Sequence, residues 1–215
     1  MKTSNIIILS TIVFIFSMNI WILADAKGKF QNEMEEQTIN IESEKMPLGD
    51  FKHLVISDNS NIYLQNSDSN SYTPSLDGEN YLNLINDTLY ISKETHIGLN
   101  CKNLVSIEIK DNSKINSKEY KSAYLKLTAI GASKFIAQNP KFDKLDIYAK
   151  EEARIIINNS NIDTANILAT ENSRIGLRGT IEIVRGEVKD EANLSVTGAN
   201  NTQFSKSGKA SINMY

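Results

Sequence analysis

Lys114, Lys134, Arg154 and Arg174 recur at a constant spacing, and Asn193 continues their register. Three residues ahead of these positions stand Asp111, Gly131, Glu151, Glu171 and Asp190. Cations repeated beside carboxylates suggest three kinds of chemistry. Exposed pairs worth roughly 0 to 1 kcal/mol each would make a solvated, self-neutralising face that keeps the protein soluble. Alternatively, the arginines and lysines would donate, and the carboxylates accept, hydrogen bonds along an anionic or hydroxyl-rich polymer. In the third, carboxylates would hold calcium and a basic residue would take a proton, as in β-helical polysaccharide lyases. The short, uniform segments between these residues speak against that last chemistry, because such clefts are built from long loops.

The remaining reactive side chains make a weaker case. His53 and His96 lie far apart and lack further ligands at metal spacing, so both are expected at surfaces or turns. Cys101, the only cysteine, has no histidine partner in the repeat and is expected to be a buried, inert thiol. It also excludes an intramolecular disulfide framework. Tyr120, Tyr124 and Tyr148 would either fill and shield a sheet face or form an aromatic patch suited to sugar stacking. "SGK" at Ser207 to Lys209 lacks the P-loop frame. No catalytic residue, cofactor or metal centre is expected.

The elements that position these residues follow from a repeat. "IKDNSKI", "AIGASKF", "AKEEARI", "ATENSRI", "VKDEANL" and "KSGKASI" share a small fifth residue and an apolar seventh. Ser113, Ser133, Ala153 and Ser173 are 20 residues apart, Ala192 and Ala210 follow after 19 and 18, and an earlier copy at Ser60 stands 53 before Ser113. Two short strands per copy at this period predict a right-handed, single-stranded parallel β-helix. Like positions would stack about 4.8 Å apart. Predicted inward columns run through Ile107, Leu127, Ile147, Ile167, Gly186 and Phe204, through Ile109, Ala129, Ala149, Ala169 and Val188, and through the small residues. Two more run from Ile115 to Ile212 and from Ser117 to Met214. The small column marks a corner where Leu would not fit.

The chain has 215 residues, 40% hydrophobic and 23% charged, with a net charge of −3. Its basic residues are spread out, so nucleic acid is not an expected partner. The apolar run from Ile6 to Leu23 would span about 27 Å as a helix, enough for a membrane anchor. "ADA" at Ala24 to Ala26 also offers a signal-sequence cleavage site. Residues 1–26 are therefore expected to be a transmembrane anchor or signal sequence, 27–48 a polar tether, and 49–215 the β-helix domain. Within it, 49–102 would supply irregular capping strands and 103–215 the repeating coils. The C-terminal edge at "SINMY" would be open to pairing with another copy.

Phe51 to Leu64 read as an "F…L.I…..I.L" strand pair, followed by "NDTLYI" at Asn86 to Ile91 and corners such as "IGASKF". On these motifs the sequence resembles the bacterial head GIN domain family, the "putative auto-transporter adhesins", over about Gly49 to Gly198. Other corners carry "EEA", "ENS" and "DEA" in place of the family's glycine. The resemblance implies a right-handed β-helix in the cell envelope outside the cytoplasm, and it carries no catalytic motif. The expected function is a non-enzymatic, adhesin-like domain that binds carbohydrate or another envelope protein. A polysaccharide lyase or glycosidase, or a structural envelope module pairing through its C-terminal edge, are the alternatives.

Overall fold

A computed structural model describes residues 45–74 and 82–215. The expected membrane segment and nearly all of the tether lie outside these residues. Among the described residues there is no helix, hence none long and apolar enough to cross a membrane. The chain forms β1 (Met46–Pro47), β2 (His53–Ile56), β3 (Asn61–Asn66), β4 (Ser71–Thr73), β5 (Leu82–Ile85), β6 (Thr88–Ile91), β7 (His96–Cys101) and β8 (Ser106–Ile109). It continues through β9 (Lys114–Lys118), β10 (Lys121–Ala129), β11 (Lys134–Gln138), β12 (Lys141–Ala149), β13 (Arg154–Ala169), β14 (Arg174–Val188), β15 (Asn193–Lys206) and β16 (Ser211–Met214).

These strands build an all-β solenoid in which each coil pairs in parallel with the next. On one side the stack runs β2, β8, β10, β12 and the C-terminal half of β13. On the other it runs β3, β9, β11 and the N-terminal half of β13. The sides join at a turn in which the fourth residue's amide bonds the first residue's carbonyl, as from Ser113 to Lys110 (3.1 Å) and Ala192 to Lys189 (3.1 Å). The second turn residue is left-handed throughout: Asp111 has φ 59°, Glu151 63°, Glu171 58° and Asp190 60°, with Gly131 at 78°. That conformation accounts for the glycine of "IGAS", since a left-handed residue with a Cβ costs about 1 to 2 kcal/mol.

The predicted columns from Ile109 to Val188 and from Ser113 to Ala210 are buried throughout. So are Ile115, Phe135, Ile155, Ile175 and Leu194, whereas Phe204 and Ile212 are only partly covered and Met214 is 40% exposed. Two further columns went unread in the sequence. Leu125, Leu145, Ala165 and Val184 form one; Phe142, Ile162 and Ile181 form the other. Tyr120 belongs with this core rather than with a surface aromatic patch: it is 1% exposed, its ring 6.3 Å from that of Phe142. Burial pushes the Cys101 thiol and the Tyr120 phenol well above their ordinary pKa values.

The segment expected to be irregular contributes two regular rungs. β3 pairs with both β7 and β9, and β2 with both β6 and β8, so β2 and β3 lie between a later rung and the repeating coils. The extra copy is "ISKETHI", Ile91 to Ile97, with Thr95 in the small column. β5 lies antiparallel along β6 and β4 along β7, with β1 beside β4.

Candidate functional site

The basic ladder is assembled as its spacing implied. Lys114 pairs in register with Lys134, Lys134 with Arg154, Arg154 with Arg174, and Arg174 with Asn193. Strand alternation turns Ile115, Phe135, Ile155 and Ile175 inward, leaving the cations outside. Lys114 and Lys134 are half-buried, while Arg154 and Arg174 are exposed.

The acidic residues do not neutralise this ladder, and here the structure corrects the sequence reading. Asp111, Glu151, Glu171 and Asp190 occupy the left-handed turn position, so the corner carries them away from the strand face. Asp111 and Asp190 accept bonds from backbone amides of the preceding rung, those of Asp58 (3.3 Å) and Glu171 (3.2 Å). Glu171 also pairs with Lys150 at 3.5 Å, and other acids are met by lysines of their own turns, as with Lys110 and Glu108 at 3.0 Å. None of Lys114, Lys134, Arg154 and Arg174 has a carboxylate within ion-pairing distance among the described residues.

Two further features of this face were not read from sequence. The next outward column carries Tyr63, Asn116, Ile136, Ile156 and then Gly176, where a Cβ would meet nothing within 4 Å. A missing side chain in an apolar column leaves a shallow depression of about 400 Å³ between Arg154, Ile156, Arg174 and Ser195. Lys118, the last residue of β9, and Arg178, four residues into β14, extend the positive charge. The face therefore combines an apolar centre with cations that have no carboxylate partner among the described residues.

A second concavity, of about 620 Å³, lies on the other side of the solenoid. One outward column there runs Lys126, Asp146, Asn166, Arg185 and Gln203, and its three middle side chains are bonded along the axis. Asn166 Nδ2 donates to Asp146 Oδ1 (2.6 Å) and Arg185 Nε to Asn166 Oδ1 (2.8 Å). Tyr124 OH donates to Asp146 Oδ2 (3.0 Å), a bond that holds its phenol above the ordinary value. The Lys144 ammonium sits 3.7 Å from the same carboxylate and 5.4 Å from the Tyr124 ring centroid.

The histidines take no part in a cluster. His53 meets Ser106 Oγ (2.7 Å) through Nδ1 and faces Asp87 at 3.6 Å through Nε2, while His96 is exposed. Among the described residues no group of three or more His, Cys, Asp or Glu could hold a metal ion. Cys101 is buried and free.

No family model and no curated protein matches the chain. Solved structures do. The chain is similar to a "putative adhesin" from Bacteroides fragilis with a TM-score of 0.53 at 12% identity, covering 80% of this chain and 95% of that one. A "putative adhesin" from Parabacteroides distasonis gives 0.45 at 14% identity over 80% and 95%. A "putative lipid binding protein" from the same species gives 0.41 at 15% over 81% and 96%. At 12% identity the Bacteroides fragilis likeness shows a shared fold and nothing finer.

Proposed function

We propose that this protein is a non-enzymatic, right-handed head GIN-type solenoid that works outside the cytoplasm, tethered or exported through its N-terminal segment. It binds a linear anionic polymer along the face of Lys114, Lys134, Arg154 and Arg174. The observation that carries this reading is the absence of carboxylate partners for these four cations among the described residues, in a chain whose net charge is −3. An acidic protein that leaves one row of cations free on a rigid face has a place for repeated negative charge. Rungs about 4.8 Å apart suit a chain with one acid group per sugar. Ile136, Ile156 and the dent at Gly176 offer apolar contact to sugar rings. The acids at the turns serve there as bonded turn residues, so the ligand surface proposed here consists of the basic members alone.

Polygalacturonate in the presence of calcium tests the reading. Retention of the polymer without release of unsaturated fragments is the expected result, lost on Arg154→Ser with Arg174→Ser. Gly176→Ile should weaken retention while leaving the unfolding midpoint unchanged, because the added side chain enters open space. Unsaturated product would transfer the protein to the lyases. Concentration-dependent oligomers with no retention would favour a self-associating envelope module.

A further inference from the structure

The concavity opposite the basic face serves no part of that reading, yet it has the make-up of a binding site. Its wall is a column whose three middle side chains, Asp146, Asn166 and Arg185, hold one another. Asp146 is fixed by Asn166, Tyr124 and Lys144, and Asn166 in turn accepts from Arg185 Nε. That single bond orients the Arg185 guanidinium and leaves its two terminal nitrogens without a partner among the described residues. Asn166 keeps one amide hydrogen to donate, since each of its bonds uses only part of its capacity. Tyr148, Leu168 and Phe204 supply the apolar lining.

Gly186 shapes the floor. It stands in register between Ile167 and Phe204, with φ 153°, and a Cβ there would lie 1.8 Å from the Ile167 carbonyl oxygen. The column that is bulky on either side therefore loses a side chain at this rung.

We infer that this concavity is a second ligand site, for a neutral, hydroxyl-rich linear glycan, with Asp146, Asn166 and Arg185 as the polar contacts and Tyr148 as the stacking surface. Alternating fixed donors and acceptors match hydroxyls, which both give and accept hydrogen bonds. Because the groups are already immobilised by one another, little ordering is left for binding to impose. An aromatic ring beside them suits the C–H face of a sugar. Lys126 and Arg185 line the site together with Asp146 and Glu187, so its wall carries balanced charge and suits a neutral chain.

The experiment is calorimetric titration of the full chain with linear neutral hexasaccharides of glucose, mannose, galactose and xylose. Saturable binding of at least one is expected. Arg185→Gln and Tyr148→Ala should each weaken it by roughly tenfold or more. Gln203→Trp, an exposed position on the rim, should block it with an unchanged unfolding midpoint, which keeps the test valid if a wall variant folds poorly. Arg154→Ser with Arg174→Ser should leave hexasaccharide binding intact, so failure of the polyanion reading is distinguishable from failure of this one. No binding by any of the four sugars, or binding indifferent to Arg185, Tyr148 and Gln203, would overturn the inference.

Discussion

Ser60, Ser113, Ser133 and Ser173 share one buried column but not one hydrogen-bonding state. Ser60 Oγ has one proton to donate and two carbonyls within reach, those of Ser57 (2.6 Å) and Lys93 (2.8 Å), while Ser113 Oγ accepts from the Ser60 amide (3.1 Å). Ser133 and Ser173 have hydroxyls with no partner among the described residues. An orphaned buried hydroxyl costs about 1 to 3 kcal/mol, so Ser133→Ala should be neutral or stabilising while Ser60→Ala lowers stability by about 1 kcal/mol. Chemical denaturation of the two variants separates these outcomes. Ser133→Leu should lower the unfolding midpoint by several degrees more than Lys134→Leu, because only the first overfills the corner, at about 1 to 3 kcal/mol. Cys101 adds a pH dependence. Its folded pKa is raised by burial, so the thiol stays protonated in the native state after the unfolded thiol ionises near its ordinary value of about 8.5. The unfolded state then binds fewer protons, and stability falls as pH rises, by about 1.4 kcal/mol per unit once the unfolded thiol is fully ionised. Cys101→Ala should remove that slope between pH ~9 and ~10 even though it lowers stability at neutral pH; an unchanged slope would assign the loss to other groups.

At the scale of strands and turns, the left-handed turn position decides which charges meet. Gly131→Val should destabilise by about 1 to 2 kcal/mol, since its φ of 78° is unsuited to a branched side chain and its new Cβ would sit 2.9 Å from the Asp111 carbonyl oxygen. The equivalent change Ala132→Val, on the exposed turn residue beside it, should cost less, and thermal melts of the pair check this. The same turn explains how far the sequence could be read. Columns such as Ser113 to Ala210 were legible because a strand's period of two and a coil's period of 20 both survive in the residue types. The basic ladder was legible for the same reason. Its isolation from Asp111 and Glu151 was not, because stacking each position into its own column says nothing of how a corner with a left-handed residue turns neighbouring columns apart. The rung with Thr95 escaped because it stacks outside Ser60 while following it in sequence, so no constant spacing marks it. The groove wall at Asp146, Asn166 and Arg185 left a register but no common residue type, and only bonds between unlike side chains reveal it.

For the whole molecule, that out-of-order rung changes what the first part of the chain does. Were 49–102 only a cover, its loss would bare one end of the stack and leave the coils themselves intact. Instead β2 and β3 are internal: Leu54, Ile56, Ile62 and Leu64 are each 0% exposed, packed between the β6–β7 rung and the β8–β9 rung. Solenoid coils draw their stability from the interface with each neighbour, so removing both rungs deletes two interfaces and bares the long edges of β8 and β9. A protein lacking residues 45–102 should therefore be recovered mainly as aggregate. Removing residues 207–215 takes away β16, the buried Ala210 and the partly covered Ile212 at the last rung, and should leave cooperative unfolding with a midpoint lower by several degrees. Sedimentation and thermal melts of the two truncations give the comparison. A monomeric, cooperatively folded product of the first deletion would mean that the coils from β8 onward stand without β2 and β3, and that the segment before them is a detachable cap after all.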